Sequence, residues 1–177
     1  MKENKLIKKI LIEVLEFSKI FFFALLISSL IKSTVVANAI VPTGSMEETV
    51  MTGSRILINR LAYVAQEPER GDVVAFYYPD DPAQIFLKRI MGLPGDTIEG
   101  INGTVYVNGL PLTEDYTPIK LEKDFERFTV PEDSYFMMGD NRNNSWDSRY
   151  WKNTYVDRSD IIGKVKIVFY PELKILE

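Results

Sequence analysis

Twelve consecutive residues without a charge, Ile20 to Ile31 (IFFFALLISSLI), set the first limit on this chain, because so apolar a stretch must be withdrawn from water. As a helix it covers about 18 Å, against about 30 Å of bilayer hydrocarbon, so it does not reach across a membrane by itself. Extending it back to Val14 takes in Glu16 and Lys19, which stand three apart and can pair on a helix, while Lys32 can reach outward from the other end. The expectation is one transmembrane anchor over 14–32 in contact with membrane lipid. A short cytoplasmic segment, 1–13, would hold Lys2, Lys5, Lys8 and Lys9, and residues 33–177 would lie outside the cytoplasm as the body of a single-pass protein of the plasma membrane. The alternative is a cleavable signal peptide, since Ala37, Asn38 and Ala39 have the small-x-small pattern of a cleavage site after an apolar run.

From Ile40 onward the pattern changes to short β-branched and aromatic runs between turn signals: SRILINRLAYV, GDVVAFYYP, QIFLKRIMGL, TVYVNGLPL, DSYFMMGD and IIGKVKIVFYP. These predict strands. INGTVYVNG places an Asn-Gly pair at each end of a short alternating strand, which is a hairpin signal. Residues 113–128 (TEDYTPIKLEKDFERF) carry charges of both signs and read as an exposed excursion. No helical run of useful length follows residue 34. At 177 residues the chain holds one domain and an extra segment, so the expected fold class is mainly β, one N-terminal helix followed by an all-β domain.

Composition narrows the chemistry. The chain has no cysteine and no histidine, which excludes disulfides, thiolate metal sites, the Ser-His-Asp triad and imidazole acid–base catalysis. Residues 1–40 hold 6 Lys/Arg and 3 Asp/Glu, so the remainder carries a net charge near −7 within a total of −4. An acidic body without a basic stripe argues against a nucleic-acid partner.

Three polar clusters remain as candidates. In PTGSM, Ser45 follows a glycine, where the backbone can turn sharply and present the Oγ, although an ordinary turn has the same signature. In FLKRIMGLPGD, Lys88 sits inside an apolar strand pattern beside Arg89, and the two must point to opposite faces. If Arg89 faces outward, Lys88 shares the face of Phe86 and Ile90, where lost solvation lowers its pKa and frees an amine to act as a base. A solvated pair on an edge strand is the alternative. GDNRNNSWDSR, residues 139–149, departs from the EF-hand calcium loop, with Arg142 at the third position, Ser145 for the glycine and Trp151 where the bidentate glutamate belongs. It is otherwise a polar surface loop.

Together and in this order, the Ser-Met after Pro-x-Gly, GDVVAF, KRIMGLPGD and GDNRNNSWDSR resemble the bacterial type I signal peptidases, membrane-bound serine proteases that remove signal peptides from exported proteins. The resemblance runs from the apolar segment to KVKIVFYP. It implies Ser45 as nucleophile, Lys88 as general base, Ser145 as the hydroxyl that orients the lysine, and Thr43 as the hydroxyl that assists the Ser45 N–H in binding the oxyanion. Arg89, Asp140, Asp147 and Arg149 match structural ion pairs around the site. Ile40, Val41 and Leu87 match positions lining shallow pockets for the small residues at −3 and −1 of secretory preproteins. No metal or cofactor is implied. The chain departs from the family at Glu48, usually proline, and at Lys152, usually glycine. Two rival readings share parts of this pattern: a self-cleaving Ser/Lys repressor, which would need a helix-turn-helix, and a membrane-anchored β module that binds partners through 113–128.

Overall fold

The computed structural model describes residues 2–176, with side chains from Lys8 onward except Ser33. The chain divides into two compact units, Met1–Val36 and Ala37–Glu177.

The first unit is one helix, α1 (Lys2–Thr34), of 33 residues. Its described side chains from Lys8 to Lys32 are exposed, including Leu11, Phe17, Phe21 and Phe22. Glu16 and Lys19 pair at 2.8 Å as their spacing predicts. The expected span over 14–32 is corrected in one respect: among the described residues no helix is long and apolar enough to cross a membrane. The reason lies in that ion pair and Lys32, which confine the uncharged stretch to 20–31. The side chains of Lys2 and Lys5, to which the sequence assigns a cytoplasmic face, lie outside the described residues.

The second unit is β. Eleven segments follow β1 (Val36–Ile40): β2 (Arg55–Asn59), β3 (Val73–Tyr78), β4 (Asp81–Gly92), β5 (Thr97–Ile101), β6 (Thr104–Val107), β7 (Leu110–Pro111), β8 (Phe125–Thr129), β9 (Ser134–Met138), β10 (Val156–Asp157), β11 (Ile161–Tyr170) and β12 (Lys174–Ile175). An eight-stranded sheet runs β1-β2-β11-β3-β4-β9-β10, with β12 paired to β11, and a four-stranded sheet runs β7-β6-β5-β8. β3 lies between β11 and β4 and has an apolar cluster on each face, so every residue of VVAFYY except Tyr77 is buried and the run shows no polar alternation. Val73 and Ala75 pack on one side with Val41, Met46, Ile56 and Ile58. Val74 and Phe76 pack on the other with Ile90, Met137 and Trp151. Both Asn-Gly pairs form the expected tight turns, with φ of 50° and 81° at Asn102-Gly103 and 54° and 78° at Asn108-Gly109.

The excursion at 113–128 is corrected. It contains most of β8, and Leu121 is buried in the cluster under the smaller sheet, alongside Ile98, Val105 and Phe136. Glu48 stands at φ 59°, a left-handed turn position that proline cannot adopt, and its side chain faces solvent. Lys152 is exposed and donates its backbone N–H to Asp80 at 3.0 Å, without the positive φ that would call for glycine.

Candidate active site

Ser45 occupies a 3-10 turn, Gly44–Met46, entered from Thr43 in extended conformation (φ −128°, ψ 156°). Met46 is fully buried and makes the turn's anchor in the core, so the serine is fixed by its neighbour rather than free on a loop. A Cβ on Gly44 would meet only the Glu47 carboxylate, at 2.8 Å, the movable end of a flexible side chain.

The lysine comes from β4. Lys88 pairs with Val74 across the β3–β4 ladder and is only 3 % exposed. Its Nζ lies 5.5 Å from the centre of the Phe86 ring, on the shared face that the strand period predicts. It donates to Ser45 Oγ at 2.5 Å. Burial pushes the ammonium down from the ordinary 10.5 to about 8, although Asp147 and Asp140 pull it upward; Arg149 adds to the lowering. At neutral pH a useful fraction of the amine is therefore unprotonated and can accept a proton from the hydroxyl it touches.

Arg89 does not face outward, as the simplest strand reading had it. It is 1 % exposed and forms a two-pronged bond to Asp140 at 2.8 and 2.7 Å. Its face of β4 is covered by the Tyr116 ring, 3.8 Å from ring centre to Cζ, and a third bond runs to the Gly71 carbonyl at 2.6 Å. Asp147 and Arg149 form a second such pair, at 2.8 Å on each prong, and Asp147 also accepts the Gly139 N–H at 3.0 Å. A third pair was missed from sequence: Arg142, also 1 % exposed, meets Glu114 at 2.5 Å. Nothing local in TEDYTP signals that Glu114 has a buried partner 28 residues away.

Ser145 and Thr43 are placed differently from the lysine. The Ser145 Oγ is buried and has no hydrogen-bond partner, so no bond to Lys88 orients the amine in this geometry. It nonetheless lies alongside Ser45: a Cβ on Gly139 would collide with both the Ser145 Oγ and the Ser45 carbonyl. Thr43 is exposed, and its side chain makes no capping bond to the turn.

A cleft of about 430 Å³ opens over the pair. Ile40, Val41 and Leu87 line it, as do Thr43, Ser45 and Lys88, with Ala39, Ile56 and Ala75 among the apolar residues. Asn144 and Trp146, from the loop that supplies Asp140 and Asp147, also line it and were not singled out from sequence. Trp146 is held by its indole N–H on the Tyr78 hydroxyl at 3.2 Å and by stacking on Tyr150 at 5.7 Å.

A family model described as "Signal peptidase, peptidase S26" matches residues 14–170. The chain belongs to this family. It is thus a serine-protease hydrolase of the signal peptidase I kind. Among its relatives, the probable signal peptidase I-2 of Synechocystis is 37% identical over 163 residues, covering 89% of this chain and 73% of that one. The signal peptidase I S of Bacillus subtilis strain 168 is 35% identical over 182 residues, covering 97% and 96%. A crystal structure of a signal peptidase I from Enterococcus faecalis V583 aligns with 35% sequence identity and a TM-score of 0.48, over 56% of this chain and 97% of that one.

Proposed function

We propose that this peptidase cleaves signal peptides from exported preproteins after small residues at −3 and −1, with Ser45 as nucleophile and Lys88 as general base. The observation that carries the reading is the contact of a buried, easily deprotonated amine with a hydroxyl at 2.5 Å, at the floor of an apolar cleft. Lys88 takes the Ser45 proton as Oγ attacks the scissile carbonyl, and the resulting ammonium protonates the leaving amine. The acyl-enzyme is then opened by water that the same amine deprotonates. The Ser45 N–H and the Thr43 hydroxyl, at the mouth of the turn, are assigned to the oxyanion. Ser145, whose buried hydroxyl has unused bonding capacity beside the turn, is assigned to steady the amine during turnover. Ile40, Val41 and Leu87, on the apolar wall of the cleft, are assigned to contact the −3 and −1 side chains.

Membrane attachment belongs to the same proposal. The exposed apolar side chains of α1 between Ile20 and Ile31 have a lipid surface as their natural partner, and the flanking lysines suit its charged headgroups. Such a placement would bring the enzyme to substrates whose signal peptides are still in the bilayer.

The test uses detergent-solubilised full-length protein and a preprotein with Ala at −3 and −1, the product being identified by mass. Wild type cuts after the −1 residue, whereas Ser45→Ala, Lys88→Ala and Lys88→Arg do not, the last because guanidinium stays protonated. Turnover near wild type in any of the three removes the mechanism. Release of the protein from membranes by alkaline carbonate would remove the attachment.

A further inference from the structure

The nucleophile turn is gripped by one residue of the 139–149 loop. The Asn141 N–H donates to the Ser45 carbonyl at 3.1 Å, and its side-chain amide donates to the Gly44 carbonyl at 3.0 Å. Asn141 itself stands between Asp140, which holds Arg89, and Arg142, whose Nε donates to the Gly139 carbonyl at 3.0 Å. The turn is therefore only as steady as the two buried guanidiniums behind it.

Residues 114–117 close over both of them. Glu114 receives Arg142 at 2.5 and 2.9 Å through its two oxygens. Tyr116 lays its ring against the Arg89 guanidinium, 3.8 Å from ring centre to Cζ. Its hydroxyl donates to Glu114 at 2.8 Å and accepts from Arg142 at 3.3 Å. The Thr117 hydroxyl donates to the Asp140 carbonyl at 2.9 Å, and the Tyr116 carbonyl accepts from the Thr49 hydroxyl, four residues past the nucleophile, at 3.4 Å. One short segment thus touches the strand of the base, the gripping loop and the end of the nucleophile turn.

We propose that Glu114 and Tyr116 are positioning residues for the reaction, which fix the Ser45 turn against Lys88 through Arg89, Arg142 and Asn141. This deepens the Ser45–Lys88 reading and rests on it. An aromatic face and a carboxylate are the groups that hold a guanidinium plane in one orientation, the first by stacking and the second by paired hydrogen bonds. None of residues 114–117 lines the cleft, so their influence must reach the chemistry through the turn and not through contact with substrate. A displacement of the nucleophile on the order of 1 Å costs about 100-fold in rate. The expected signature is therefore a fall in kcat with KM little changed.

The experiment measures kcat and KM of detergent-solubilised full-length enzyme on the Ala(−3)/Ala(−1) preprotein for wild type, Tyr116→Ala, Tyr116→Phe and Glu114→Gln, with Ser45→Ala alongside. Circular dichroism gives the folded concentration. Tyr116→Ala and Glu114→Gln are expected to lose at least about tenfold in kcat with KM within about twofold, and Tyr116→Phe, which keeps the ring on Arg89, to recover most of the Tyr116→Ala loss. If Tyr116→Ala does not fold, Glu114→Gln, which keeps the side-chain shape, decides. A dead Ser45→Ala together with kcat within about twofold of wild type in folded Tyr116→Ala and Glu114→Gln overturns the positioning role alone, as does a rise in KM at unchanged kcat. Cleavage by Ser45→Ala would overturn the dyad reading and this proposal with it.

Discussion

Replacing Lys88 with methionine should destroy activity and at the same time make the protein more stable at neutral pH. The folded protein holds Lys88 near pKa 8, whereas an unfolded lysine titrates at 10.5, so between these values the unfolded chain binds more protons. Stability then rises with pH across that window, and below it the burial of the ammonium costs the fold about 3 kcal/mol. Methionine fills a similar space without a charge, and the lost bond to Ser45 takes back about 1 kcal/mol. The net gain near pH 7 is about 2 kcal/mol, which for a domain of this size raises Tm by about 4–8 °C. At pH 10 most of the wild-type lysine is already neutral in the fold, and the gap between the two proteins should largely close. Thermal melts of both proteins at pH 7 and pH 10 give the four values needed. A Lys88→Met protein that melts at or below wild type at pH 7, or a gap that does not shrink by pH 10, would refute the assignment of a depressed lysine pKa to burial.

The same titration governs activity: kcat/KM of wild type should climb about tenfold per pH unit through neutrality and level off near pH 8, and a profile flat from pH 6 to 9 would contradict it. Gly139→Ala should lower cleavage by about 100-fold or more, because the added methyl collides with the Ser45 carbonyl and the Ser145 Oγ; a kinetic assay checks this. Glu48→Gly should stabilise by about 0.5–1 kcal/mol by relieving the left-handed φ of 59°, Glu48→Pro should destabilise, and Glu48→Gln should leave the pH profile superimposable on wild type because the carboxylate faces solvent, all read by denaturant melts and kinetics. Self-cleavage between Ala39 and Ile40 requires β1 to leave β2 and both alanines to leave the core, so it should proceed between molecules and accelerate with concentration; N-terminal sequencing of aged enzyme follows it.

The features legible in the sequence are those with local signatures. The Asn-Gly pairs announced their turns because only a few residues accept positive φ. Lys88 stood out because a Lys-Arg pair interrupts an apolar run, a pattern that fits a buried amine as well as a solvated edge. Other features depend on partners that no local pattern names. Arg89 looked free to face water because alternation says only that neighbours point apart; it does not say that Tyr116 and Asp140, from distant segments, cover the second face. The segment 113–128 looked like an excursion because its charges are of both signs, the usual mark of a solvated loop. Its carboxylate and ring find guanidiniums 26 to 28 residues away, a pairing fixed by the sheets and invisible to spacing along the chain.

The three arginines behind the site, Arg89, Arg142 and Arg149, are nearly inaccessible, and each is matched by its own carboxylate, Asp140, Glu114 and Asp147. A buried guanidinium without its partner costs several kcal/mol, so the cluster closes as a unit or stays open. Its members come from three separate stretches of chain, the last of them ending at residue 149. While the polypeptide is still folding, Asn141 has nothing to hold it against the Ser45 turn. If Ser45 and Lys88 act as proposed, a half-folded copy is an inert one, and the serine becomes reactive only once the chain that carries it has finished folding.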